Sequence, residues 1–555
     1  MKIAFVNPSV GFSERRKSVP IGLAYIMAYL EAKGYQSDGY DFGDSTTPPA
    51  ELVRKYELWK YDLVGLSVYN ESFHITMRMA EEIKFLNPAS FILTGGPQAT
   101  ATHETIMSDW KLIDGVIRKE GELPTHSLVE AIDHKTDLAD VPSLTWRDST
   151  GTTRVNCEMV PLEELDSLPY PAASFTGEYE YPPLHFFDKL QDTLRPAIAI
   201  NTSRSCPYNC NFCGVLTIGR RYRSRTPASI SNELEFFRNL HGRDYTHVYF
   251  SDANFFVRAG RALDIVRELN RFDDRVTFSF GTRVNQVLRA RDVIKEMRSL
   301  GLRFIELGIE NASPAVLARL AKGVGPSVNE AAVRLLNRLG VDIALDYIMI
   351  DPASTIEDLQ LNMRFLERYF LEYYPHDHFY TSLALYEGTP AREMYEERRG
   401  GKFETGVLPA TRDVLERSET VIWWEISQGF RRDYQRRIDV TLAKGETLLR
   451  HPAAVKALAE RSGPWYDLSC FQLDVISLKH APVVFFRRLI DLIADGKAPK
   501  SAGDDGLNQG YGSRDSTLDD LIESSRVRVE ELADLLQLPL GELDQALHLS
   551  GAAYE

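Results

Sequence analysis

At 555 residues the chain is longer than one ordinary core holds, since domains run about 100–200 residues. Its 44% hydrophobic and 26% charged content is that of a soluble globular protein, and five cysteines in this length exclude a disulfide framework and imply a reducing, cytoplasmic setting. The net charge of −15 argues against a nucleic-acid partner, and no apolar run reaches the roughly 20 residues that span a bilayer.

The N-terminus, Met1–Pro8, reads as a short strand stopped by Asn7-Pro8, without the roughly 7–15-residue apolar core of a signal peptide. Strands and helices then alternate to about residue 125, with strands at Ile3–Val6, Leu63–Val68, Phe91–Thr94 and Asp114–Ile117 and helices at Ile21–Ala32 and Thr76–Phe85. This alternation predicts a doubly wound parallel sheet, whose ligands bind beyond the carboxyl ends of the strands. Pro20-Ile21-Gly22-Leu23-Ala24-Tyr25, Val64-Gly65-Leu66-Ser67, Gly95-Gly96-Pro97 and Glu120-Gly121-Glu122 fall in order along it. In order and spacing they resemble the cobalamin-binding domain that precedes many radical S-adenosylmethionine (SAM) domains. The resemblance implies cobalamin contacts from Ser9, Ser67, Tyr69, Asn70, Glu71, Gly95, Gly96, Pro97, Gln98, Glu120, Gly121 and Glu122. The bland reading is that these glycines serve tight turns only. A D-x-H-x-x-G loop is missing, and His74 reads as structural. Tyr69, Asn70 or Glu71 is then expected near the lower face of the cobalt.

Residues 146–192 read as a connector, with a small hairpin around Asp148–Gly151 and proline-fixed segments at Leu168–Pro171 and Tyr181–Pro183. After a β-rich run comes Cys206-Pro207-Tyr208-Asn209-Cys210-Asn211-Phe212-Cys213, a C-x3-C-x2-C loop. Three thiolates suit an iron–sulfur cluster or zinc. Neither Cys157 nor Cys470 is near in sequence, whereas a structural zinc site wants four protein ligands. The spacing, with Phe212 before the last cysteine, resembles the signature of radical SAM enzymes. There the three cysteines hold a [4Fe–4S] cluster whose fourth iron binds SAM.

Further strands at His247–Ser251, Val276–Gly281, Arg303–Ile309, Asp342–Ile350 and His378–Leu385, with the strand before Cys206, predict six βα units. The radical SAM core is such a six-unit partial barrel, with its chemistry at the strand carboxyl ends. The resemblance gives SAM contacts to Phe212, Asp252, Arg283, Glu310 and Tyr386. Asp252 is alternatively a helix cap, Arg283 a substrate ligand and Glu310 a cap. Glu306, Gly308 and Glu310 alternate onto one face, where two acids inside a barrel are costly unless paired. The arginines of Gly219–Arg225 read as bridges between domains or to anionic cofactor groups.

Residues 406–555 read as mostly helical, with Trp423, Trp424, Phe430 and Tyr434 as a core stripe, Lys500–Ser516 as a flexible linker and Val529–Leu547 as a pair of short capping helices. The expected domains are 1–145 for cobalamin, 146–192 as connector, 193–405 as radical SAM barrel and 406–555 as helical domain. The resemblance implies reductive cleavage of SAM to methionine and a 5′-deoxyadenosyl radical. Methyl transfer from methylcobalamin to an unactivated carbon of a small-molecule or peptide substrate, as in natural-product biosynthesis, follows. An external flavodoxin- or ferredoxin-type donor supplies electrons. Cyclisation, rearrangement or oxidation without methyl transfer is an alternative, as are tRNA modification and a zinc-loop scaffold.

Overall fold

The computed structural model describes residues 1–8, 20–43, 45–171, 174–177, 185–188, 193–370, 377–450, 468–497, 499, 501, 507 and 517–535. Ser9, Tyr181–Pro183, nearly all of Lys500–Ser516 and the second of the expected C-terminal pair of helices lie outside them.

The first sheet holds β1 (Ile3–Asn7), β2 (Asp38–Asp41), β3 (Leu63–Ser67), β4 (Phe91–Gly95), β5 (Gly115–Ile117), β6 (Leu144–Arg147), β7 (Thr153–Val155) and β8 (Thr176–Gly177). Their order is β7-β6-β5-β4-β3-β1-β2-β8. Strands β8 to β5 across this order are parallel, and β6–β7 is an antiparallel hairpin on the β5 edge. The expected connector thus lends its hairpin and β8 to this sheet. Strand order reverses about β1, which opens a crevice beyond the ends of β1 and β3. Strands β1 and β3 are buried on both faces, which their apolar runs dictate.

The second sheet holds β9 (His185–Asp188), β10 (Thr193–Ile200), β13 (His247–Phe250), β14 (Thr277–Arg283), β15 (Leu302–Glu310) and β16 (Asp342–Tyr347). Its order is β16-β15-β14-β13-β10-β9, parallel from β10 to β16 with β9 antiparallel at one edge. A two-residue ribbon, β11 (Ser203–Arg204) with β12 (Arg223–Ser224), brackets the cysteine loop. Alternation along β15 sends Ile305, Leu307 and Ile309 into the helix layer and Glu306 and Gly308 to the other face.

One element differs from the barrel read in the sequence. The sixth position joins the edge through a single parallel bridge, Ile350 to Ser382, in place of a full strand. The chain at Asp377–Tyr380 makes a tight helical turn instead. Phe379 and Tyr380 are there drawn into the helical layer, with Phe379 stacked 4.6 Å from Phe486. Burying two aromatics outweighs the few ladder bonds an edge strand would add.

The C-terminal helices Ser418–Phe430, Arg436–Arg450, Leu468–Ala494 and Leu518–Leu535 share one core with the barrel helices. Trp423, Phe430 and Tyr434 are buried in it, with Trp424 packed against it, so the aromatic stripe is core. No helix among the described residues is long and apolar enough to cross a membrane.

Candidate active site

The cysteine loop is fastened at several points. Asn211 donates its backbone N–H to Leu320 O at 3.2 Å and accepts from Ala391 N at 3.1 Å. Phe212 packs among Val316, Leu320, Leu383 and Leu385. Cys206, Cys210 and Cys213 are all reduced. Asn254 points its amide at Cys206 Sγ from 3.9 Å, and Arg283 donates from Nη1 to Cys210 Sγ at 2.6 Å. Burial pushes the Cys213 thiol up, and the charges of Cys210 and Cys206 push it further. Among the described residues no three His, Cys, Asp or Glu side chains, these cysteines included, are gathered closely enough to hold a metal ion. Three soft sulfurs on one short loop are the donor set that would suit a [4Fe–4S] cluster with one iron left to another molecule.

The expected SAM residues surround this loop in different ways. Asp252, at the end of β13, accepts from Thr202 N at 3.1 Å, from Thr202 Oγ1 at 2.9 Å and from Ser203 Oγ. Burial raises its carboxyl, and those donors only partly offset the rise. It therefore ties β13 to the start of the cysteine loop and caps no helix. Arg283 ends β14, lies 4.1 Å over the Tyr208 ring, donates to Lys322 O, and keeps a buried Nε without a partner. Glu310 ends β15 beyond a bulge at φ +64°, a costly conformation for a residue with a side chain. Its carboxylate accepts from Lys322 Nζ at 2.5 Å. Gly308 makes room for that pair, since a Cβ there would lie 2.9 Å from Lys322 Nζ and 3.0 Å from Glu310 Oε1.

The second acid of the alternating face, Glu306, accepts from the Tyr249 hydroxyl and shares a hydrogen bond with Asp346. Burial first, then Glu306 and Glu310, raise the Asp346 carboxyl well above its usual range. The fold therefore keeps that proton over a pH window in which the unfolded chain has lost it. Stability must fall as pH rises from the ordinary carboxylate range through the raised value. Asp346→Asn, which still donates to Glu306, should melt close to wild type at pH 4 and higher than wild type at pH 8. Equal melting temperatures at both pH values would remove this assignment.

Asn254, Lys322 and Tyr249 belong to this site and were missed in the sequence. Asn254 stands two residues after Asp252 and was within reach of the same motif. Lys322 and Tyr249 carried no local signal.

At the N-terminal sheet, Ser67 ends β3 and bonds the hydroxyl of the exposed Tyr69. Beyond it, Asn70 is buried with Nδ2 unpartnered. Gly95 ends β4, and Gly96 follows at φ +105°, where a Cβ would lie 3.0 Å from Val68 O. Pro97 starts a short helix, and Gln98 is buried with neither amide atom partnered. Orphaned buried amides at strand carboxyl ends ask for a polar ligand. The amide-rimmed corrin of cobalamin fits that demand. His74 is exposed, with its ring edge-on to Phe73. Glu120 and Glu122 turn their carboxylates to Arg223 and Arg204, while Gly121 allows Ile26 to approach. Arg223 thus bridges domains, as read from the sequence. Gly96→Val should strain the turn between β4 and its short helix, because its Cβ would overlap Val68 O at a φ of +105°, and should lower both the melting temperature and the cobalamin retained. The 350–550 nm absorbance after gel filtration reads this out, and undiminished retention would contradict it.

The two mouths meet. Tyr386, expected at SAM, donates to Glu71 Oε1 at 3.4 Å across the junction. At Gly388, φ +77°, a Cβ would meet Ala101 Cβ at 2.6 Å and Thr217 at 3.0 Å. At Gly406 it would strike the Phe73 ring.

Two family models match in tandem, the B12 binding domain over residues 15–129 and the radical SAM superfamily over residues 200–366. An "uncharacterized methyltransferase PH0819" of Pyrococcus horikoshii is 27% identical over 67% of this chain and 79% of its own length. The anaerobic magnesium-protoporphyrin IX monomethyl ester cyclase of Rubrivivax gelatinosus is 26% identical over 65% and 64%, and the hopanoid C-3 methylase of Methylococcus capsulatus is 26% identical over 63% and 65%. Among solved structures, OxsB with aqua-cobalamin and SAM bound superposes with a TM-score of 0.66 at 17% identity, covering 98% of this chain and 81% of that one. The methyltransferase TsrM from Kitasatospora setae gives 0.56 at 20%, covering 72% and 76%. These two likenesses carry the fold. With the cysteine loop and the paired mouths, the tandem family matches make the conclusion plain: the chain belongs to the radical SAM enzymes that carry a B12-binding domain, and its cofactors are a [4Fe–4S] cluster, S-adenosylmethionine and cobalamin.

Proposed function

We propose that the enzyme transfers a methyl group to an unactivated carbon of a small-molecule or peptide substrate held between the two mouths. The observation that carries this reading is the junction itself, where Tyr386 and Gly388 of the barrel touch Glu71 and Ala101 of the cobalamin side. When bound, the cluster with SAM supplies a carbon-centred radical and cobalamin supplies the methyl group. The chain's part is to hold and orient. Cys206, Cys210 and Cys213 hold the iron. Arg283, with its unpartnered Nε, offers a donor to a carboxylate, and Asp252 and Glu310 set the strand ends around it. Phe212 packs behind the loop. Asn70 and Gln98 offer amide partners to the corrin rim, and Gly95, Gly96 and Pro97 let it approach. The domain limits 1–145, 146–192, 193–405 and 406–555, a cytoplasmic location and an external flavodoxin- or ferredoxin-type donor belong to the same proposal.

A second reading keeps the cofactors without methyl transfer. It is favoured by the relative named as a cyclase beside those named as methylases. Anaerobic reconstitution followed by product mass decides between them. A gain of one CH2 with 5′-deoxyadenosine supports methylation, deoxyadenosine without that gain supports the second reading, and no SAM cleavage overturns both.

A further inference from the structure

The Glu120-Gly121-Glu122 turn, expected at cobalamin, faces the arginines of the β11–β12 ribbon with both carboxylates. The β11–β12 ribbon closes the base of the cysteine loop on two residue pairs, Ser203 opposite Ser224 and Arg204 opposite Arg223. A two-stranded ribbon is marginal alone, and like charges directly opposite across strands are destabilising. Both guanidiniums are largely buried, so water cannot separate them cheaply. The counter-charge comes from the other domain. Glu120 accepts from Arg204 Nη1 at 3.2 Å and from Arg223 Nη1 at 3.0 Å, and Glu122 accepts from Arg204 Nη2 at 2.5 Å. Arg204 also lies 5.0 Å over the ring of Tyr25, and Arg223 donates to Leu162 O at 2.9 Å. Asp252 and Arg261 secure the barrel end of the ribbon through Thr202 and Ser203; the Asp252 carboxylate is taken up by Thr202 and Ser203, and Arg261 is itself a cation.

We infer that Glu120 and Glu122 are positioning residues for the cysteine loop: they neutralise the opposed Arg204 and Arg223, so the ribbon forms only when the cobalamin-binding domain is seated on it. The seating of one cofactor's domain thereby sets the order of the other cofactor's loop. The inference rests on the cluster-holding role proposed for that loop, but its first readout needs no cluster.

The test is amide hydrogen exchange on the full chain, as purified and without added iron. Glu120→Gln with Glu122→Gln should raise exchange in peptides covering 203–224 at least about tenfold, while β14 and β15 keep wild-type protection. Adding Arg204→Gln removes the like-charge opposition and should restore most of the lost protection. A residue that merely filled space would leave the triple variant no better than the double. Should the double variant not fold, Glu120→Gln alone, with and without Arg204→Gln, is read in the same way. Wild-type exchange in 203–224 without the carboxylates, or a triple variant as poorly protected as the double, overturns the inference. After reconstitution, the electron paramagnetic resonance of the reduced cluster should broaden in the double variant and sharpen again in the triple. A chain that binds no iron yet shows the expected exchange pattern would sink the cluster reading and leave the positioning role standing.

Discussion

Serine in place of Cys213 should leave a folded protein that binds almost no iron. Reconstituted wild type is expected to carry about four irons per chain with matching sulfide, and the variant less than about one. The fold should survive because Cys213 contributes its backbone more than its side chain to the loop, through its N–H to Cys210 O at 3.2 Å and its carbonyl to Leu216 N at 3.2 Å. The loop's other fastenings, at Asn211 and Phe212, are untouched. Loading should be strongly pH-dependent. Burial and the two neighbouring sulfurs raise the Cys213 thiol, which therefore holds its proton more tightly. A metal's charge draws thiol protons off, so iron binding releases protons and weakens as pH falls. Cys157 lies exposed and outside the loop, so Cys157→Ser should retain all the iron. Full iron content in Cys213→Ser, or its loss in Cys157→Ser, would break the assignment. SAM cleavage should follow the iron in each variant.

The second large effect is one of stability. Lys322 and Glu310 form a buried ion pair at 2.5 Å, with Lys322 3% exposed. Removing the cation leaves a carboxylate facing Glu306 and Asp346 in a poorly solvated barrel mouth. Lys322→Met should therefore cost about 3–5 kcal/mol, because a stranded buried charge loses its partner without regaining water. Adding Glu310→Gln removes the stranded charge, and the double variant should recover more than half of that loss. Denaturant unfolding of the two singles and the double closes the cycle. If the double variant is no more stable than Lys322→Met, the pair is not the reason Lys322 is buried. Gly308→Ala should lose part of the same pair by overlap, since its Cβ would sit within 3.0 Å of both charged atoms.

These residues show where sequence reasoning reached and where it stopped. The cysteine loop was legible because three thiols at fixed short spacing are a local pattern. The parallel sheets were legible because strands buried on both faces must be written as apolar runs. Gly96 was legible because its neighbours Gly95 and Pro97 mark a turn. The acids of β15 were legible as a face, but their partners were not. Lys322 sits in an unremarkable stretch, and only the bulge at Glu310 brings the two together. The sixth strand read from the sequence over His378–Leu385, yet Phe379 and Tyr380 are claimed by the C-terminal helices.

By itself, the sequence determined the fold class and the order of the two cofactor-binding units, and it singled out three cysteines as the candidate iron ligands, because periodicity and close spacing are properties of neighbouring residues. Only the tertiary structure decided that Tyr386 reaches Glu71, that Glu120 and Glu122 face arginines, and that the two mouths meet at Gly388. Each of these joins residues from separate domains. Their attraction depends on burial and distance, which chain order does not encode.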